Sequence, residues 1–156
     1  MKNNLENITN HIIKEILTVS PENNVGHIKE ILAKKARQFE IIGYVYVVDH
    51  AQKLVGVISL KEILQANNES LSEKLMIKNI ISIREDDHPE KVVHLALKYG
   101  FWSIPVVDKE KHLLGVIPHK TILSIFHHKV REDVLRSGGI HHKIKEIESL
   151  ETPVSR

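Results

Sequence analysis

The stretch Tyr44-Val-Tyr-Val-Val-Asp49, continued by Leu54-Val-Gly-Val-Ile-Ser-Leu-Lys-Glu-Ile-Leu64, returns later as Ser103-Ile-Pro-Val-Val-Asp108 and Leu113-Leu-Gly-Val-Ile-Pro-His-Lys-Thr-Ile-Leu123. Val47–Leu64 laid over Val106–Leu123 without a gap gives 10 identities in 18 positions. A repeat of this kind means that one supersecondary unit occurs twice. Val47 and Val48 close a β-branched and aromatic run, the composition of a buried strand. Asp49-His-Ala-Gln-Lys53 is a polar turn, and Leu54–Ile58 a second strand whose Gly56 leaves room for a close neighbour. Ser59-Leu-Lys-Glu62 has the form of a capping box that opens a short helix. Each unit reads strand, turn, strand, helix.

The segments around the repeat are duplicated in kind. Asn23 or Asn24 can cap a helix carrying Val25, Ile28, Ile31, Leu32 and Ala36. Its counterpart starts near Asp87-His-Pro-Glu90, with Asp87 as cap and Pro89 in the first turn, and carries Val92, Val93, Leu95, Ala96 and Tyr99 to a stop at Gly100. A short strand precedes each helix, Leu17–Val19 in one half and Ile80–Ile83 in the other. A later strand is expected over Trp102–Val107. Thr18 and Asp49 are 31 steps apart whereas Ser82 and Asp108 are 26 apart, so the first half is five residues longer, around Lys35–Gly43. Leu5, Ile8, Ile12, Ile13 and Ile16 fit one helical face and predict a helix from about Asn3 to Leu17. Near Lys120 a last amphipathic helix starts, running to Gly138-Gly139, and Ile140–Leu150 offers one more. The divisions are 1–12, an N-terminal helix; 13–66, the first unit; 75–126, the second; and 127–156, a connecting helix and linker.

Composition removes several classes of function. The 156 residues are 42% hydrophobic with a formal charge of +2, and basic and acidic residues are interspersed. Nucleic-acid binding usually needs a basic stripe, and base stacking an aromatic platform, so no nucleic-acid partner is expected. The absence of cysteine excludes disulfides, thiolate metal sites and a cysteine nucleophile. No apolar run approaches the roughly 18 residues that span a bilayer, and the polar start resembles no signal peptide, so a soluble chain is expected. The final residues carry no capping or packing signal, as though the chain stops within a connection.

The duplicated order of short strand, helix, strand ending in Val-Val-Asp, strand with Gly-Val-Ile, and helix resembles a CBS-domain pair, or Bateman module. The resemblance covers about Ile13–Phe126 and implies an α/β (α+β) fold of two βαββα halves related by a pseudo-twofold axis, with nucleotide clefts between them. Tyr44–Asp49, the residues before it and the following Gly-Val-Ile-Ser-Leu-Lys-Glu-Ile-Leu are similar to the first CBS motif of MgtE-type magnesium transporters. Glu132-Asp-Val-Leu-Arg-Ser-Gly-Gly-Ile140 resembles the family's helix leading toward the membrane pore. The resemblance implies a regulatory module at the cytoplasmic face of the cell membrane, a homodimer formed through CBS helices, and a pore domain following Arg156.

It also implies site residues. Ser59 and Glu62 fall where the family contacts ribose and phosphate, with Glu62 in place of the usual aspartate. Tyr44 matches a tyrosine that stacks on adenine, and Lys61 a basic residue that meets phosphate. The bound cofactor would be ATP or another adenine nucleotide. A carboxylate can accept from both ribose hydroxyls, and a helix N-terminus favours phosphate. The same serine-to-glutamate spacing is also accounted for by the capping box alone. In the second unit Pro118 and Thr121 replace the hydroxyl and the carboxylate, so one nucleotide site per chain is expected. For Mg²⁺, Glu90, Glu132 and Asp133 match the family's acidic positions, whereas His88, Gly100, Thr121, Ser124 and Lys129 stand at others. His127-His128 and His141-His142 suit zinc or nickel by ligand type. Neighbouring helical residues point about 100° apart, however, so each pair is a poor chelate. Two other readings stay open, a free-standing adenylate sensor and, from another class, a metalloenzyme using His127, His128 and Glu132. The principal reading is not an enzyme.

Overall fold

The structure is a computed structural model that describes residues 7–137. The repeat folds as two three-stranded sheets of the same design. The first contains β1 (Thr18–Val19), β2 (Tyr44–Val48) and β3 (Leu54–Ser59), and the second β4 (Ile83–Arg84), β5 (Ser103–Val107) and β6 (Leu113–Pro118). In each, the short strand runs parallel to the middle one and the middle one antiparallel to the last. Register follows the repeat: Val47 faces Gly56 as Val106 faces Gly115, and Val19 faces Val47 as Ile83 faces Val106. Both middle strands carry the same irregularity, after Val47 and after Val106.

Five helices complete the two units: α1 (Val25–Lys35), α2 (Leu60–Gln65), α3 (Ser72–Leu75), α4 (Pro89–Tyr99) and α5 (His119–Arg136). α1 and α4 are each 11 residues long. The extra length of the first half therefore lies wholly after its helix, in residues 36–43 against 100–102, and includes a 3₁₀ turn at Ala36–Gln38. Asn24 caps α1 through its side chain. α4 starts one residue later than the Asp87 cap predicts. His88 is the cap, accepting at Nδ1 from the Glu90 amide, while Asp87 accepts from the Arg84 amide. The second short strand sits at Ile83–Arg84 rather than 80–83, and β5 begins at Ser103, leaving Trp102 outside it. α3 fell within no predicted element. The helix predicted over Ile140–Leu150 lies outside the described residues.

The predicted helix from Asn3 to Leu17 is not what forms. Among the described residues only Ile8–His11 make a helical turn, and it is 3₁₀. The reason is tertiary. Ile13 donates to and accepts from the backbone of Val116 in the second half, at 2.8 and 2.9 Å. Ile8 enters the second half's core, Leu17 and Val19 enter the first half's, and Ile13 and Ile16 pack at the seam. A helix has one apolar face and cannot serve three cores, so the segment extends across them. The second half repeats the device. Ile77 pairs with Val57 of the first half in both directions, at 2.9 and 3.1 Å, before the chain returns to Ile83. The two units are thereby interlocked, each reaching into the other before forming its own sheet. The hairpin tips also join, Leu54 donating to Lys111 and Leu113 to Gln52.

Candidate functional site

Residues two apart on a strand share a face. Tyr44 and Tyr46 of β2 therefore look the same way, as do Ser103 and Pro105 of β5. Between them lies a recess of about 160 Å³, lined by these four residues with Val57, Ile77, Asn79, Ile80, Ile81 and Phe101. Both halves and the crossing segment before β4 contribute. Most of the lining is hydrocarbon or aromatic face. Its polar side-chain groups are the two tyrosine hydroxyls, the Ser103 hydroxyl and the Asn79 amide.

Tyr46 and Ser103 meet at the seam, with Tyr46 Oη 3.1 Å from Ser103 Oγ. The residues are 2% and 4% exposed. Burial pushes the Tyr46 phenol up to about 12; the Ser103 hydrogen bond opposes this, and the neighbouring Tyr44 adds slightly to it. The group is neutral at any physiological pH and acts here as a hydrogen-bonding hydroxyl.

Of the predicted nucleotide residues, Tyr44 lines the recess, while Ser59, Lys61 and Glu62 do not. They begin immediately beside it. Tyr44 and Ser59 are register partners across β2 and β3, so their side chains lie on one face of the sheet. Ser59 Oγ accepts from the Glu62 amide at 3.2 Å and caps α2. The reciprocal half of the capping box does not form: among the described residues the Glu62 carboxylate makes no hydrogen bond or ion pair, and neither does the Lys61 ammonium. Both are exposed.

The matching place in the second half is different in kind. Pro118 stands opposite Ser103 and gives α5 no side-chain cap. The His119 ring lies 4.7 Å from that of Trp102, and Lys120 is held by Glu40 of the first half at 3.1 Å. The long connection of the first half thus reaches over this position and neutralises the cation that corresponds to Lys61. Sequence reasoning placed the extra residues but gave no signal of this cross-half ion pair.

The acidic residues predicted for magnesium do not gather. Glu90 pairs with Lys129 at 3.2 Å and Glu132 with His128 at 3.3 Å, while Asp133 is exposed. Hard cations need several converging oxygens. Among the described residues, the one grouping of three His, Asp or Glu side chains close enough to share an ion is Asp108, Glu110 and His112. Its carboxylate is occupied by the hairpin turn: Asp108 Oδ1 accepts from the amides of Glu110 and His112 at 2.9 and 2.8 Å, and Oδ2 lies 2.8 Å from His112 Nδ1. Glu90, Glu132 and Asp133 as placed do not fit a resident magnesium site. His127 contacts Phe126 edge-on, and neither it nor His128 joins a three-ligand group. His141 and His142 lie outside the described residues. A larger recess of about 660 Å³ is bordered by Lys78, Arg84, Lys91, Asp108, Lys109 and Lys111, with none of the predicted nucleotide residues among its walls.

Two interlocked βαββα units with a recess at their seam define a tandem module. The CBS domain model matches residues 7–69 and 71–128, and the chain belongs to the CBS domain family. It is similar to the magnesium transporter MgtE of Thermus thermophilus, 29% identical over 126 residues, which are 81% of this chain and 28% of that protein. Inosine-5'-monophosphate dehydrogenase of Methanocaldococcus jannaschii is 30% identical over 113 residues, 72% of this chain and 22% of the enzyme. The chain thus spans roughly a quarter of these relatives' length. Among solved structures, the cytosolic domain of the Mg²⁺ channel MgtE in complex with ATP superposes with a TM-score of 0.75 at 28% identity, covering 77% of this chain and 48% of that one. The soluble part of a magnesium transporter gives 0.77 at 29%, covering 80% and 48%. The chain is a CBS pair related to the cytosolic region of MgtE. No helix among the described residues is long and apolar enough to cross a membrane.

Proposed function

We propose that this chain is a ligand-sensing module that takes one adenine nucleotide at the seam, as the regulatory part of an MgtE-like transporter of magnesium or another divalent cation. The observation that carries this reading is the base-sized apolar recess lined by Tyr44, whose register partner Ser59 caps the helix that carries the unengaged Lys61 and Glu62 in its first turn. At about 160 Å³ it is smaller than the few hundred Å³ of a site that encloses a whole ligand. It suits a single planar base, leaving ribose and phosphate outside, where Glu62 and Lys61 stand. Tyr44 supplies the stacking face, Glu62 accepts from the ribose hydroxyls, and Lys61 meets phosphate. The similar MgtE domain was crystallised with ATP, which supports the ligand class. The second half, with Pro118, Thr121 and the Lys120–Glu40 pair, supplies no equivalent set.

Two copies would join through helices. Leu97 is 72% exposed and Trp102 67%, with Leu123 and Phe126 exposed nearby on α5, an apolar surface a second copy can cover. The ligand would change the angle between copies by its differential affinity for the two arrangements, and α5 would pass that change to a pore domain beyond Arg156. Magnesium is assigned no primary role here, because an ion at Glu90 and Glu132 must first displace Lys129 and His128. Similarity to inosine-5'-monophosphate dehydrogenase favours a second reading, a nucleotide sensor serving a different partner.

Binding of adenosine, AMP and ATP to the wild-type chain and to Lys61→Ala and Glu62→Ala variants tests the assignment. Glu62→Ala should weaken all three ligands alike, because all carry the ribose. Lys61→Ala should weaken AMP and ATP and leave adenosine unchanged. Equal affinity of wild type and Glu62→Ala for every ligand would refute the ribose assignment.

A further inference from the structure

The Tyr46–Ser103 pair lies on the wall of the recess and has unused hydrogen-bonding capacity. Two hydroxyls bring two hydrogens. Their mutual bond uses one, and among the described residues neither oxygen makes another hydrogen bond. One O–H therefore has no acceptor among the described residues, on side chains that line a largely apolar recess and are 2% and 4% exposed. A buried donor without an acceptor is unfavourable, and a ligand that supplies one gains accordingly. The repeat does not impose the arrangement: Pro105 stands at the position corresponding to Tyr46, and Tyr44 at that corresponding to Ser103. The duplication therefore does not produce a second such pair.

We propose that the Tyr46–Ser103 hydroxyl pair is the specificity element of the cleft and donates its free hydrogen to one ring nitrogen of the bound base. This rests on the nucleotide reading above and deepens it by naming the base edge as the group recognised. The order within the pair decides the donor. If Ser103 donates to Tyr46, the phenol reads the base; if Tyr46 donates to Ser103, the serine does. Apolar walls from both halves (Val57, Ile80, Phe101 and Pro105) keep water from competing. Asn79, on the crossing segment, also lines the recess, and its amide can serve an exocyclic group.

The test compares AMP with its 1-deaza, 3-deaza and 7-deaza analogues, in which one ring nitrogen at a time becomes C–H. Wild type should bind one analogue about tenfold more weakly than AMP, the size expected for a buried donor that loses its acceptor. In Y46F or S103A, whichever lacks the donor, that same analogue and AMP should bind equally. A general loss of cleft structure would weaken all four ligands in proportion and leave the ratio intact, so the ratio reports the hydroxyl itself. Equal affinity of wild type for all four ligands would overturn the proposal, as would a penalty that survives in both variants. Absence of AMP binding by the wild type would instead remove the nucleotide reading, and this assignment with it.

Discussion

Raising the pH should destabilise this protein through Tyr46 in a way that a single substitution removes. The phenol stands at about 12 in the folded chain, against an ordinary value of 10.0, chiefly because burial penalises the phenolate. Between these values the unfolded chain loses a proton that the folded chain keeps. The stability this provides is complete below pH 10 and disappears as pH rises toward 12. This difference is worth on the order of 3 kcal/mol, of which about half should be gone by pH 11. With an m-value of roughly 1–3 kcal/mol per molar urea, the unfolding midpoint should fall by about 0.5–1.5 M from this group alone. The assay is urea denaturation of wild type and Tyr46→Phe at intervals from pH 9 to 11.5. Ionisable groups other than Tyr46 are common to both proteins, so the difference isolates this one. Tyr46→Phe should begin less stable, because Ser103 loses its partner, and the gap should narrow as pH rises. A gap that stays constant to pH 11.5 would show that Tyr46 ionises as readily folded as unfolded, and the description of a closed seam would be wrong.

Other expectations follow from close contacts and turn chemistry. A Cβ on Gly115 would collide with the Ile12 side chain and with the Ile13 carbonyl, whereas one on Gly56 would meet only the side chain of Met76. Gly115→Ala should therefore cost roughly 3 kcal/mol in denaturant titrations and Gly56→Ala roughly 1–2, because the sulfur and Cγ of Met76 can swing aside and only its Cβ requires a backbone shift, whereas a paired backbone carbonyl cannot move. Equal costs would refute the crossing of the N-terminal segment over β6. In acid, Asp108 should matter. Partial burial alone would raise its pKa, but the His112 ring and the amides of His112 and Glu110 outweigh this and hold it below the usual value. Its contribution is present above the ordinary carboxylate pKa and is lost as pH falls through the lower folded value. Asp108→Asn should flatten the acid limb of a stability profile measured from pH 6 to 2.5, and an unchanged limb would rule that out.

The sheets were legible because the repeat carries its own register. Val-Val-Asp and Gly-Val-Ile recur at one spacing, and a strand pair whose glycine faces a valine twice leaves little freedom. The aspartate turns were legible for the same reason. Gln52 and Lys111 take positive φ at matching places, closed by Asp49 and Asp108. The N-terminal segment was misread because periodicity reports which residues are buried without saying in how many places. Ile8, Ile12, Ile13 and Ile16 satisfy a helical spacing, yet Ile8 and Ile12 pack in the second half's core and Ile13 and Ile16 at the seam, and the next residue, Leu17, enters the first half's core. The start of α4 was displaced by one residue because Asp87 and His88 are both competent caps, and Asp87 is engaged by Arg84 and Lys91. The pairing of Tyr44 with Ser59 across β2 and β3 was readable from motif and register. Tyr46–Ser103 was not, since it joins residues 57 positions apart through the mating of the halves, which local pattern does not encode. The unengaged Glu62 carboxylate was hidden too, because a capping box and a ligand carboxylate have the same spelling.

Calorimetric titration of the unaltered chain with ATP measures the central claim most directly, because its stoichiometry counts the working clefts. One nucleotide per chain, with binding abolished by combining Tyr44→Ala and Glu62→Ala, is the result expected of a duplicated module in which one seam site is open and its counterpart carries Pro118, Thr121 and the Lys120–Glu40 pair. Two equal sites per chain, or undiminished binding by the double variant, would contradict it.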